Sequence, residues 1–290
     1  MRSSRLLIVA LVLTTACGQA KAGHPVTPPA STRVPAPQPS VALAGSAART
    51  ARAGSARVVM RMRMAGMPGG AITVDAAGVV AFRTRAADLR MRMVAPGSGA
   101  VIRMREITRW PVVYMRSPLF AAQTHRGKPW VRLDLARLER AQGIDMNALT
   151  STGRSDPTQM LSTLEGESDS IVTVGHEAVR GVATTHYRAV IDLGKVAGSA
   201  NPSLRAAVRR AEARLAAMLG KRRMPMDVWI GADGLVHQIR ISYGYERSRV
   251  GITMNLYDYG AHVTIQAPLQ SDVFDATALA QQGLARSFQQ

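Results

Sequence analysis

The chain has a single cysteine, Cys17, and few aromatic residues, 4% of its 290 positions. One cysteine allows no disulfide within the chain, so a folded part must be held by its core. Scarce aromatics remove the stacking platforms on which single-stranded nucleic acids are held, and no nucleic-acid partner is expected. Lysine is also scarce, since of 37 basic residues only Lys21, Lys128, Lys195 and Lys221 are lysines. So strong a bias to arginine, beside abundant alanine, has the look of GC-rich coding, and the net charge of +18 is discounted accordingly. Catalytic signatures are missing as well. The histidines (24, 125, 176, 186, 237 and 262) show no H-E-x-x-H or comparable metal spacing, and neither a G-x-S-x-G elbow nor a phosphate-cradling glycine loop occurs. No enzymatic activity, cofactor or metal is therefore expected. His176 and His186 flank one hairpin, where they could approach each other, and are read as structural.

What the chain does have begins at its start. Arg2 and Arg5 precede an apolar stretch, Leu6 to Leu13, and then Thr14-Thr15-Ala16-Cys17. That stretch is too short for a bilayer core of about 30 Å at about 1.5 Å per residue, so it reads as a cleavable signal. The small Ala16 before Cys17 suits cleavage and acylation of the new N-terminal cysteine, although a lipobox more usually has Leu where Thr14 stands. Residues 1–17 are thus expected to be a lipoprotein signal and lipobox, with Cys17 as the lipid anchor. Residues 18–54 are rich in Pro, Ala, Ser and Gly and bury too little to fold. They are expected to be a disordered tether reaching roughly 30 to 35 Å.

From Arg57 the period becomes two. Met60, Met62 and Met64 share one strand face, and Ile72 and Val74 lead into Asp75-Ala76-Ala77-Gly78, expected to be a turn, before Val80 and Phe82. Leu89, Met91 and Met93 repeat the alternation, followed by Ile102 with Met104 and Val113 with Met115. Between these apolar residues stand arginines, as in Arg61-Met62-Arg63-Met64 and Arg90-Met91-Arg92-Met93, so adjacent antiparallel strands have one apolar and one arginine-rich face. Asp134 is expected to cap a helical turn through Leu138, Ser155-Asp156-Pro157 to open a second helix, and Pro202 to Gly220 to form a longer one. Strands are expected again at Ile171 to Glu177 and through Tyr187 to Leu193 around an Arg180-Gly181 turn. More follow at Asp227 to Ile230 and Leu235 to Tyr243 around Asp233-Gly234, from Val250 to Leu256, and at Val263 to Ile265. The fold class is α+β, a large, mostly antiparallel sheet with a few helices on one side.

Four phrases in order carry a resemblance: Gly127-Lys128-Pro129-Trp130-Val131-Arg132-Leu133-Asp134, Asp156-Pro157 opening a helix, Gly175-His176-Glu177 through His186-Tyr187, and Asp227-Val228-Trp229-Ile230-Gly231-Ala232-Asp233-Gly234-Leu235. Behind a lipoprotein signal, this order resembles the LppX, LprA, LprF and LprG lipoproteins of actinobacteria, relatives of the LolA carriers, over roughly residues 57–275. The resemblance implies an antiparallel half-barrel wrapped around helices, enclosing an apolar cavity for acyl chains. It also implies a lipid or glycolipid ligand carried or presented across the cell envelope from the outer face of the cell membrane. Residues 55–275 are then a LolA-like lipid-binding domain and 276–290 a polar C-terminal tail. Further expected partners are the membrane, through acylated Cys17, and a membrane transporter, with the chain a monomer. The alternative is an envelope sensor of the same fold that binds a protein or lipid and signals its state.

The family supplies no catalytic motif, so the cavity lining is taken from strand alternation here. It comprises Met60, Met62, Met64, Ile72, Val74, Val80, Phe82, Leu89, Met91, Met93, Ile102, Met104, Val113, Met115, Tyr187, Ile191, Ile239 and Ile241. Unbranched, polarizable methionine adapts to irregular apolar shapes and suits flexible alkyl chains. It equally fills ordinary cores.

Overall fold

Alternation of apolar and charged residues from residue 55 onward produces one very large sheet, seen in a computed structural model whose described residues are 39–67, 69–118, 127–142, 168–192, 223–245 and 248–289. Twelve strands are hydrogen-bonded in the order β12-β6-β5-β4-β3-β2-β1-β11-β10-β9-β8-β7. They are β1 (Ser55–Met67), β2 (Gly70–Ala81), β3 (Ala86–Val94), β4 (Val101–Arg109), β5 (Val112–Arg116), β6 (Trp130–Asp134), β7 (Ser168–Val179), β8 (Val182–Asp192), β9 (Arg223–Gly231), β10 (Val236–Tyr245), β11 (Ser248–Tyr257) and β12 (Val273–Asp275). Only the β12–β6 pair is parallel. Strand twist accumulates across so many strands, and a sheet of this width curls instead of lying flat. The result is an open half-barrel with helices against it.

Helix α1 (Pro39–Arg52) corrects the expected tether, which was to run to residue 54. Its sequence is mostly Ala, Ser and Gly and resembles a linker. Yet alanine is the best helix former, and Leu43, Ala47 and Thr50, at i, i+4 and i+7, are all buried. Leu43, 1% exposed, and Ala47 join Ala56, Val58, Met254, Leu256 and their neighbours in the main core. Small residues let the helix approach the sheet closely. The buried Thr50 Oγ1 accepts a hydrogen bond from the Val236 N–H at 3.1 Å.

Helix α2 (Leu135–Gln142) begins where Asp134 was expected to cap it, and the Asp134 carboxylate accepts from the Arg137 N–H at 3.0 Å. Helix α3 (Thr277–Gln289) replaces the expected polar tail. Asp275 caps it by accepting from the Thr277 N–H at 2.9 Å, and the buried Thr277 hydroxyl accepts from the Asp134 N–H. The helices expected from Ser155 and from Pro202 lie outside the described residues.

Two further expectations fail. Asp75 to Gly78 is not a turn, because β2 runs through it unbroken. Gly78 is there because strands meet closely: a Cβ would fall 1.9 Å from the Asp88 carbonyl oxygen. The reversal instead falls between Met67 and Gly70. Nor is there a strand at Val263 to Ile265. Residues 261–269 form an irregular strap, started by Gly260 N–H to Ser55 O and Ser55 Oγ to Ala261 O hydrogen bonds. Ile265 on that strap packs against a second core of Ile107, Trp130 and Val273. Arg180-Gly181 and Asp233-Gly234 do turn as expected, with Arg180, Gly181 and Gly234 at positive φ.

Candidate functional site

The ladders fix which residues share a face. Met60, Met62 and Met64 of β1 stand opposite Ala76, Val74 and Ile72 of β2 on one side, and opposite Met254, Ile252 and Val250 of β11 on the other. Met91 and Met93 of β3 pair with Ala76 and Val74, then with Met104 and Ile102 of β4. Leu89 faces Glu106, Glu106 faces Met115, and Thr108 faces Val113. On the far half, Ile239 and Ile241 continue from Met254 and Ile252, and through Val228 and Met226 reach Tyr187 and Ala189. Ile191 holds the next matching register position, opposite Met224, though its side chain lies outside the described residues. The expected residues therefore share one face. Cys17 lies outside the described residues.

That face is not uniform. Val80, Phe82, Leu89, Ile239 and Ile241, expected in a cavity wall, are buried in the main core together with α1, and Met60 and Tyr187 pack against it. They form one core with Leu43 and Ala47 of α1, the helix that packs on this face. Val74 is buried outside this cluster. Toward the β1–β2 reversal, Met62, Met64, Ile72, Met91, Met93, Ile102 and Met104 are only half-buried among the described residues, and so are Val113 and Met115 on β5, in register with the core end. Alternation could not separate the two ends, because period two reports the face and not what covers it.

Two polar residues interrupt the inner face of β4 unannounced, in register with Leu89 and Ala87. Glu106 and Thr108 continue the inward series of Ile102 and Met104, and the Thr108 hydroxyl donates to the Glu106 carboxylate at 2.9 Å. The change from Met to Glu at constant spacing was the available signal.

On the opposite face of β7–β9, His186 stacks on Trp229 with ring centroids 4.2 Å apart. Its Nε2 lies 2.8 Å from Asp227 Oδ1 and its Nδ1 3.2 Å from Glu177 Oε1. Glu177 also accepts from the Trp229 indole N–H, and Asp227 from Arg188 Nε. His176 instead contacts Thr185 at 3.2 Å, so the two histidines do not form a pair. Each polar group here is answered by a neighbour, which is the pattern of a structural network. Among the described residues no group of three His, Cys, Asp or Glu could hold a metal, and no helix is long and apolar enough to cross a membrane. Tyr259, whose hydroxyl donates to the Val236 carbonyl, has its phenol pushed well above the ordinary value, chiefly by burial and further by Asp233.

The class this geometry defines is an open antiparallel half-barrel with an apolar inner face, filled at one end by a helix. Among solved structures, the chain is similar to LprF from Mycobacterium bovis, with 18% identity, a TM-score of 0.44, and 81% of this chain and 98% of that one covered. It is also similar to the lipoprotein LppX of Mycobacterium tuberculosis, with 15% identity, a TM-score of 0.43, and 78% and 98% covered. In sequence, 160 residues are 29% identical to an uncharacterized 31.2 kDa protein of Streptomyces griseus from the rplA-rplJ intergenic region, covering 54% of this chain. The chain spans about half the length of that relative, 51%. No family model matches the chain.

Proposed function

We propose that this protein is an exported lipoprotein, anchored through Cys17, that holds the acyl chains of a lipid or lipoglycan against the methionine end of its inner face and carries or presents that lipid across the envelope. The observation that supports this is the contrast within one face. The same strands that form a solid core beside α1 leave Met62, Met64, Met91, Met93 and Met104 half-buried a few residues further on. Apolar area left open to water costs about 25 cal/mol per Å², and alkyl chains laid on it would recover that energy. Methionine conforms to chains of varying length and saturation, which suits a carrier better than a rigid, shape-selective pocket. Glu106 and Thr108, at the inner-face edge of this patch, offer hydrogen bonds to glycerol or sugar hydroxyls of a headgroup.

Mass spectrometry of the protein after gentle extraction tests this reading. Stoichiometric lipid is the expected result. Met91→Trp should abolish the co-purifying lipid at an almost unchanged melting temperature, the outcome expected of a half-buried side chain that faces the ligand. Retained lipid with lost stability would overturn the assignment, and a partner protein recovered in place of lipid would point to a sensor. For the anchor, Cys17→Ser should move the protein from membrane to medium. Unchanged membrane partition, with no acyl mass on the wild type, would refute it.

A further inference from the structure

The outer face of β1–β5 is the reverse of the methionine face, and its charge is lopsided. Arg61, Arg90, Arg92, Arg103, Arg105 and Arg116 line a groove of about 820 Å³ with Ser117, Pro118 and Pro129, and the strand positions of Ala76, Met91 and Met104 between the arginines also border it. Two of these arginines are neutralised: Arg61 Nε lies 2.6 Å from Asp75, and Arg105 makes two hydrogen bonds to Asp88, at 2.9 and 2.7 Å. Asp75 and Asp88 are also the only carboxylates that the β1–β5 strands direct to this face, since Glu106 faces inward. Arg90, Arg92, Arg103 and Arg116 are exposed, and none has a carboxylate within 4 Å among the described residues.

The register makes this costly. Arg92 stands directly opposite Arg103, and Arg90 and Arg116 stand on either side of Arg105, whose charge Asp88 answers; across the other ladder Arg92 faces Asp75, the carboxylate that Arg61 holds. Like charges facing each other across a strand pair destabilise a sheet, and the Arg92–Arg103 pair, flanked by two more exposed arginines, has one shared carboxylate beside it. An external anion would turn that repulsion into a shared contact. The arginines repeat across three neighbouring strands at about 4.8 Å per strand and about 7 Å along each, which is a two-dimensional array and not a single cage. Phosphates of lipid headgroups form a matching array.

We propose that this arginine groove docks the domain on an anionic phospholipid surface, with Arg90, Arg92, Arg103 and Arg116 contacting headgroup phosphates. The proposal concerns the face turned away from the acyl-chain site and stands whether or not that site binds lipid. Arginine suits the role because its planar fork meets two phosphate oxygens at once. Docking through this face would leave the methionine face clear of the membrane.

The test is co-sedimentation of the full chain carrying Cys17→Ser with vesicles of phosphatidylcholine alone, or with 30% phosphatidylglycerol, at low and high salt. Binding should be stronger to the anionic vesicles and should fall with salt, since surface attraction is screened. Each arginine at such a surface is worth about fivefold in partition, so Arg92→Gln/Arg103→Gln should lower binding by roughly 25-fold. The charge-matched pair Arg49→Gln/Arg52→Gln, on α1 against the inner face, should leave it within about twofold of the parent. The Arg92/Arg103 variant should melt close to the parent, because it removes the Arg92–Arg103 repulsion together with the Arg92–Asp75 pairing. Equal binding to both vesicle types, or equal losses in both variants, would overturn the proposal. So would displacement by inorganic phosphate at matched ionic strength, which would mark a discrete anion site. Retention or loss of co-purified lipid in these variants reports separately on the acyl-chain reading.

Discussion

One apolar face runs the length of the inner sheet, yet its two ends differ. Near α1, Val58, Val228, Val236 and Leu256 are at most 3% exposed, and Leu43 inserts among them. Beyond Met60 the same alternation yields methionines that stay half-buried. The residue types explain part of the difference. Beside α1, branched and small side chains predominate and hold even Met226 and Met254 buried, whereas a patch made mostly of unbranched methionines defines no unique packing. Hydrophobic periodicity thus says where a face points, and side-chain stiffness indicates how firmly it is filled.

The sharpest way to break the comparison is to delete equivalent volume at each end. Leu43→Ala should cost about 2 to 5 kcal/mol in chemical denaturation, the usual range for a buried leucine, with Met93→Ala costing less than about 1 kcal/mol. Equal losses would mean that the two ends are filled alike. Adding volume should show the same asymmetry. Met226→Trp, at a site that is 0% exposed, should cost about 1 to 3 kcal/mol or more, while Met91→Trp should leave the melting temperature almost unchanged.

A smaller effect is expected where α1 is tied to the sheet by polar atoms. Thr50→Val keeps the shape but leaves the buried Val236 N–H without its acceptor, for a loss of about 1 to 3 kcal/mol that denaturation would measure. The least effect belongs to Asp275, at the end of the edge strand β12 and outside both core clusters. Burial alone would raise its carboxyl, but hydrogen bonds from Thr277 and the charge of Arg132 hold it below the usual carboxylate value. A group depressed in the folded state stabilises above its unfolded pKa and loses that contribution as pH falls through the folded one. The stability gap between wild type and Asp275→Asn should therefore be constant from pH 6 to 8 and shrink below about pH 4. Its size should be under about 1 kcal/mol, since the side chain is 41% exposed and screened by solvent. A gap that widened in acid would contradict the sign.

Much of this architecture was legible. The strands from Met60 to Met115 announced their period and face, and the Arg180-Gly181 and Asp233-Gly234 turns their chemistry. Asp134 announced a cap. The misreadings share a cause. Gly78 looks like a turn residue in a local window, but its role is set by the Asp88 carbonyl on the next strand. Likewise Val263 and Ile265 alternate as a strand would, but the strap they belong to has no ladder partner.

Local sequence determined what depends on near neighbours: strand period, the assignment of methionines to one face and arginines to the other, turn conformations and helix caps. These follow from sterics and hydrogen bonds within a few residues. Tertiary structure alone decided that the alanine-rich segment around Leu43 is a core helix and not a tether, because helix propensity in so plain a sequence is marginal until Leu43 and Ala47 meet the sheet. It also decided which part of the apolar face is filled, and that arginines from three strands stand opposite one another. Those outcomes depend on residues distant in sequence, whose meeting is fixed only when the sheet closes its register.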